Sequence, residues 1–238
     1  MKISVQLYAL REYIKNEGFE AVLSGVKAAG IDGVEAVDNG YGLTPAQYRA
    51  LLDKYGLAAY GCHIGMNALK DHTMEWSKAL GFKQLIIPGL SVEELKKEAT
   101  AAALQAEAEF YARHGIEVGY HNHAHEYEGG NDYIAPLLAA APSVKFEPDI
   151  FWLAAAGVPA EKYLKTRANR LMTIHLKELS KDGIKAPEPY LGEGVSETKQ
   201  CVALAKKLKL PHVVIEFEAI NVPWRAYLKK AVSFINEN

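Results

Sequence analysis

The sequence predicts a single α/β domain folded as a (β/α)8 TIM barrel. β-rich and helix-periodic segments alternate without a break eight times, and unbroken alternation of this kind requires parallel strands. Eight such pairs in 238 residues match the usual size of that barrel. Polar side chains also gather at the carboxyl ends of the later strands, where a parallel barrel holds its reacting groups. No Pro/Gly/Ser linker, low-complexity tract or shift in composition divides residues 1–238, which read as one domain. An open doubly wound sheet is the competing arrangement, but the first strand-to-helix turn lacks the GxGxxG phosphate-binding pattern.

Taken in order, Ile3 to Tyr8 reads as the first strand, and Phe19, Val22, Leu23 and Val26 recur at helical spacing up to Gly30. Gly33 to Val37 is the second strand. Thr44, Pro45 and Gln47 open a helix with a capping box and a proline in its first turn; Tyr48, Leu51, Leu52 and Tyr55 supply its buried stripe and Gly56 its end. Leu57 to Ile64 forms the third strand, followed by a helix through Leu69, Trp76 and Leu80 that stops at Gly81. Lys83 to Pro88 is the fourth strand, after which a capping box from Ser91 to Glu94 opens an alanine-rich helix reaching Arg113. The second half repeats the pattern, with strands at Ile116 to His121, Val144 to Asp149, Leu171 to Lys177 and His212 to Phe217. Its helices run from Asp132 to Ala140, Pro159 to Ala168 and Glu197 to Leu208, and a last one bears Trp224, Tyr227, Leu228, Ala231 and Ile235. The connector from Leu179 to Val195 is too long for a plain turn and is expected to cover the barrel mouth.

Composition narrows the function classes. A chain that is 49% hydrophobic buries a substantial core, and a formal charge of -2 offers nothing to a phosphate backbone. Nucleic acid is therefore disfavoured as a partner. Nowhere do 18 apolar residues follow one another, and the amino terminus has no run suited to a signal peptide, so neither a membrane nor export is expected. Cys62 and Cys201 form no CxxC pair and point to reduced thiols in a cytoplasmic setting.

The chemistry concentrates at Gly119 to Tyr127, GYHNHAHEY, three histidines and a glutamate directly after an apolar run. Strand alternation puts His121 on one face with Gly119 and His123, while Val118 and Tyr120 point the other way. Strand six ends at Asp149, strand seven offers His175 and strand eight Glu216, each on the parity opposite its large apolar neighbours. Two imidazoles and two carboxylates converging at successive strand ends suit a divalent ion, with manganese, zinc, cobalt, iron and magnesium open and calcium disfavoured. Glu35, His63, His123, Glu126, Trp152 and Lys177 are the candidates to line the pocket and bind substrate, and Tyr8 is a further aromatic at a strand end. His72, His114 and His212 read as surface or helix-end histidines.

These residues carry a family resemblance. GYHNHAHEY, KFEPDIFWLAAAG, IHLKE, LGEGV and VVIEFE, spread over the whole chain, resemble the sugar phosphate isomerase/epimerase family of xylose-isomerase-like TIM barrels, which also holds endonuclease IV, hydroxypyruvate isomerase, inosose dehydratase and the ketose 3-epimerases. The resemblance implies a metal held by one residue from each of strands five to eight, here His121, Asp149, His175 and Glu216. It implies isomerisation or epimerisation of a sugar-derived ketose by proton abstraction alpha to a carbonyl, through an enediolate, with Glu216 as base. One position departs from the pattern: the epimerases carry a glutamate where this chain has His121. His121 or His123 then shuttles the proton, or Glu147 or Glu126 replaces the missing acid, and His123 is an alternative to His121 as the strand-five ligand. A lyase or dehydratase acting on a keto-sugar or inosose, and a noncatalytic sugar-binding barrel, are the competing functions. The partner in each case is a small-molecule sugar, with a homo-oligomer left open.

Overall fold

Short runs of aliphatic and β-branched residues form eight strands in a computed structural model that describes residues 1–38, 40–67 and 70–238. They are β1 (Lys2–Gln6), β2 (Gly33–Val37), β3 (Ala58–His63), β4 (Gln84–Ile87), β5 (Glu117–His121), β6 (Lys145–Glu147), β7 (His175–Leu176) and β8 (His212–Ile215). All pair in parallel in the order β6-β5-β4-β3-β2-β1-β8-β7. The outer two meet through the parallel bridges Phe146 to Leu171 and Asp149 to His175, which close the sheet into a barrel. That seam is thin because Pro148, between the bridges, has no N–H to donate to a ladder.

Helices alternate with the strands: α1 (Arg11–Glu17), α2 (Phe19–Ala28), α3 (Pro45–Tyr55), α4 (Lys70–Leu80), α5 (Val92–Leu95), α6 (Glu98–Ala112), α7 (Ile134–Ala140), α8 (Ile150–Ala155), α9 (Ala160–Lys165), α10 (Thr198–Leu208) and α11 (Trp224–Glu237). Both capping boxes form as read, Thr44 with Gln47 and Ser91 with Glu94. Gly56 ends α3 in the left-handed conformation at φ 58. Tyr48 and Leu52 are buried from α3, while Leu51 and Tyr55 are only half-buried. Trp76 and Leu80 are buried from α4; Leu69 lies outside the described residues.

Four departures from the sequence reading bear on the site. β1 stops at Gln6, whose side chain accepts from the Tyr8 amide at 3.0 Å and turns the chain into a 3-10 turn, Leu7–Leu10, and then α1. The alanine-rich helix is divided where Lys97 adopts extended angles (φ -85, ψ 125). A short α8, absent from the sequence reading, begins directly after Asp149. No residue of the 179–195 connector is among those lining the cleft at the barrel mouth. Buried Glu178 accepts from the amides of Gly192 (2.7 Å) and Ser196 (2.9 Å), and Glu188 from those of Glu218 (2.8 Å) and Ala219 (3.1 Å). Tyr190 stacks on Tyr227 of α11, so the segment is packed against the end of β8 and α11.

Candidate metal and substrate site

Strand register assembles the site. Gln6 pairs with Glu35, His121 with Glu147, and Asp149 with His175, so chain neighbours across the sheet become side-chain neighbours at one end of the barrel. His121, Asp149, His175 and Glu216 each bring one ligand atom within 4.8 Å of the others, and all four are buried. The rings of His121 and His175 are 4.6 Å apart between centroids.

Asp149 divides its two oxygens. Oδ1 accepts from the amides of Phe151 (2.8 Å) and Trp152 (3.3 Å), capping α8, while Oδ2 is buried without a hydrogen-bond partner. A buried carboxylate oxygen with nothing to accept from is costly, and a cation satisfies it. This orphaned oxygen beside two imidazoles and a second carboxylate fits a divalent ion of the manganese, zinc, cobalt or iron type.

Two further carboxylates lie beneath these four. His175 presents Nδ1 to Glu216 (2.8 Å) and Nε2 to both Glu35 (2.7 Å) and Glu147 (3.0 Å). Glu147 also meets His63 Nε2 at 2.9 Å and His121 Nδ1 at 3.3 Å, and Gln6 donates to Glu35 at 2.7 Å. Gly61 leaves room for them: a Cβ there would stand 3.0 Å from Glu35 Oε1. Carboxylates on the far nitrogen of a metal-binding imidazole fix its tautomer and ring plane.

Two other groups bring ligand atoms equally close: His63, His121, Glu147 and His175, and separately His123, His125 and Glu126. The first shares two imidazoles with the set containing Asp149. In the second, Glu126 already accepts from the Tyr120 hydroxyl (2.9 Å) and the His123 amide (2.8 Å), and His125 lies 2.8 Å from the Leu90 carbonyl.

The electrostatics follow from burial and pairing. Burial opposes charge on His63 and His175, yet the facing carboxylates outweigh it, holding His63 at about 9 and His175 well above its ordinary value. Burial and neighbouring imidazoles push His121 down and His123 to about 3. Asp149 is raised by burial and by Glu216 to about 7, Lys177 opposing. Burial also resists ionisation of Glu216, but Lys177 and His175 hold its carboxyl far below the usual range.

A cleft of about 330 Å³ opens beside this cluster. His63, His121, His123, Trp152 and Glu216 line it, as does Tyr8. Glu35, Glu126, Glu147 and Lys177, expected to bind substrate or move its proton, do not: each is fully buried and outside the cleft lining, Glu35 and Glu147 each with one carboxylate oxygen left without a hydrogen-bond partner. Lys177 donates to Glu218 at 2.6 Å and lies under the rings of Phe151 and Trp152. The cleft also takes in Gln6, Asp38 and Glu218, which the sequence reading passed over. Glu218 had a signal, standing two residues beyond Glu216 on the same strand parity; Gln6 and Asp38 stand at the ends of β1 and β2, where Tyr8 and Glu35 drew the attention. His212 is another correction: it is buried within β8, its ring stacked 4.7 Å from Tyr60.

Fold and site together define a (β/α)8 barrel with a histidine and carboxylate cluster at the carboxyl ends of its strands. The chain belongs to the xylose isomerase-like TIM barrel family, whose model matches residues 23–238. Among solved structures it is similar to a sugar phosphate isomerase/epimerase from Parabacteroides distasonis, at 18% identity over 98% of this chain and 92% of that one, with a TM-score of 0.80. A probable 3-DHS dehydratase from Bacillus anthracis aligns at 14% identity over 99% of both chains (TM-score 0.77). A D-allulose 3-epimerase from Methylomonas sp. aligns at 17% over 100% of this chain and 97% of that one (TM-score 0.75). These likenesses show the fold, and the family model bears out the family reading. No curated protein matches by sequence. Among the described residues no helix is long and apolar enough to cross a membrane, and Cys62 and Cys201 are buried free thiols.

Proposed function

We propose that the protein is a divalent-metal-dependent enzyme that removes a proton alpha to the carbonyl of a sugar or sugar-derived ketose and returns it, isomerising or epimerising the substrate. The observation that carries this reading is the convergence of His121, Asp149, His175 and Glu216 beside a cleft, with Asp149 Oδ2 buried and unpartnered. At about 330 Å³ the cleft is at the small end of the ~300–1,000 Å³ usual for ligand sites, suited to a single sugar unit. An ion held by these four residues supplies Lewis-acid stabilisation of the charge that develops on the carbonyl oxygen as the proton leaves.

Glu216 lines the cleft and is kept ionised by Lys177 and His175, which makes it the proton acceptor of the site although the same pairing lowers its basicity. On the β5 side His123 lines the cleft with its Nδ1 buried and unpartnered, next to His121; one of these imidazoles hands a proton to the substrate and is reloaded from solvent, while Glu216 gives its proton up to solvent. Tyr8 and Trp152 offer rings to the C–H face of a sugar. Glu35 and Glu147, out of substrate reach, orient the imidazoles.

The test is a metal-replete screen of ketoses in deuterated water, wild type beside Glu216→Gln. Wild type should wash deuterium into the recovered sugar, and the variant should be slower by about 10²–10⁴-fold. Undiminished exchange in the variant would refute the role of Glu216. An ultraviolet-absorbing unsaturated product would point to elimination in place of isomerisation, and bound metal without turnover of any ketose would point to a binding protein.

A further inference from the structure

We infer that the cleft takes an uncharged, unphosphorylated sugar. This rests on the proposed reading of the site as one for a carbohydrate and adds the charge class of its substrate.

Among the described residues, the cleft is lined by the carboxylates Asp38, Glu216 and Glu218 and by no lysine or arginine. Positions 39, 68 and 69, outside the described set, are Asn, Ala and Leu and bring no charge. Two cations on adjoining elements, Lys177 and Arg11, are already held by other groups. Lys177 is fully buried, donates to Glu218 at 2.6 Å, and has the rings of Phe151 and Trp152 at 4.5 and 4.8 Å from its Nζ. Arg11 lies over the Tyr8 ring at 4.1 Å and donates to the Tyr8 carbonyl at 2.7 Å. His63 turns its Nε2 towards both Glu35 and Glu147, so a proton held there is neutralised within the buried network.

A divalent ion on Asp149 and Glu216 would cancel those two carboxylates and Lys177 offsets Glu218 from behind, so the charge left at the cleft is that of Asp38, with Glu218 still presenting carboxylate oxygen beside it. Both are exposed there. A phosphate dianion would meet them with no guanidinium or free ammonium to receive its oxygens, whereas sugar hydroxyls are the donors that carboxylate acceptors require. Tyr8, half exposed, supplies an apolar face in the same cleft. Like-charge juxtaposition of this kind separates a free sugar from its phosphate ester by on the order of 100-fold in affinity.

The experiment is isothermal titration of the metal-loaded wild-type protein with the four free D-ketohexoses and with the 1- and 6-phosphate of each, run beside the deuterium-exchange screen. At least one free ketohexose should bind, its phosphate esters on the order of 100-fold more weakly. Asp38→Lys should narrow that gap by about 10-fold. Equal or tighter binding of a phosphate ester, or no binding of any free ketohexose, would overturn the inference, and an unmoved gap in Asp38→Lys would overturn its electrostatic basis. If sugars bind as expected without exchanging deuterium, the isomerase reading fails and the charge class stands.

Discussion

Replacing Asp149 with asparagine separates the two jobs that its carboxylate oxygens perform. Oδ1 caps α8 through the Phe151 and Trp152 amides, and Oδ2 is the buried oxygen offered to an ion. Asparagine caps a helix as well as aspartate does, whereas alanine loses about 1 kcal/mol. For a chain of this size that is a fall of about 2–4 °C in melting temperature. An ion present at 100 times its Kd adds about 2.7 kcal/mol, or about 5–11 °C. Wild type should therefore melt about 5–11 °C higher with metal than without, and both variants should lose most of that rise. Metal-free Asp149→Ala should melt about 2–4 °C lower than wild type. The pH dependence sharpens the comparison. The folded carboxyl, raised from 3.8 to about 7, holds its proton more tightly than the unfolded one, so the metal-free fold loses this stability as pH rises through 7. An amide does not ionise, so metal-free Asp149→Asn should melt no lower than wild type at pH 8. Differential scanning calorimetry with and without added manganese or zinc reads all of this. A full metal-induced rise in Asp149→Asn would remove Asp149 from the ligand set and with it the proposed site.

Two more predictions concern the layer beneath. In the metal-free protein His175 lies between carboxylates on both ring nitrogens and is held protonated at pH 7, while Asp149 is about half protonated. Metal binding through Nδ1 should then release about one to two protons per ion at pH 7, falling towards about one at higher pH, as measured from binding enthalpies in buffers of different ionisation heat. Release of none would mean that His175 is not a ligand. Glu147→Gln should weaken metal affinity by about 10–100-fold, read by chelator competition, with turnover restored at saturating metal. Lost turnover at saturating metal with affinity unchanged would instead make Glu147 a proton-transfer group.

Much of this protein was legible in its sequence. Alternating periodicity announced eight strands and their helices, since a buried parallel strand and an amphipathic helix impose different spacings on apolar residues. The polar residues His121, Asp149, His175 and Glu216 stood out because each interrupts an apolar strand end. Tertiary structure decided the depth of each side chain and what it faces. Glu35 read as a pocket residue at a strand end and Glu147 as a replacement acid on the parity of Asp149, yet the closure of the barrel buries both against imidazoles from β3, β5 and β7, contacts between residues as far apart as 35 and 175. Asp149 could be read as a ligand but not as a cap, because α8 was hidden in the run that follows it. The 179–195 connector had the length of a lid and became a packed wall, because buried Glu178 and Glu188 bind its backbone and that beside β8. Local pattern sets which face of an element is polar; only the meeting of distant strands determines whether that polarity meets substrate, metal or another side chain.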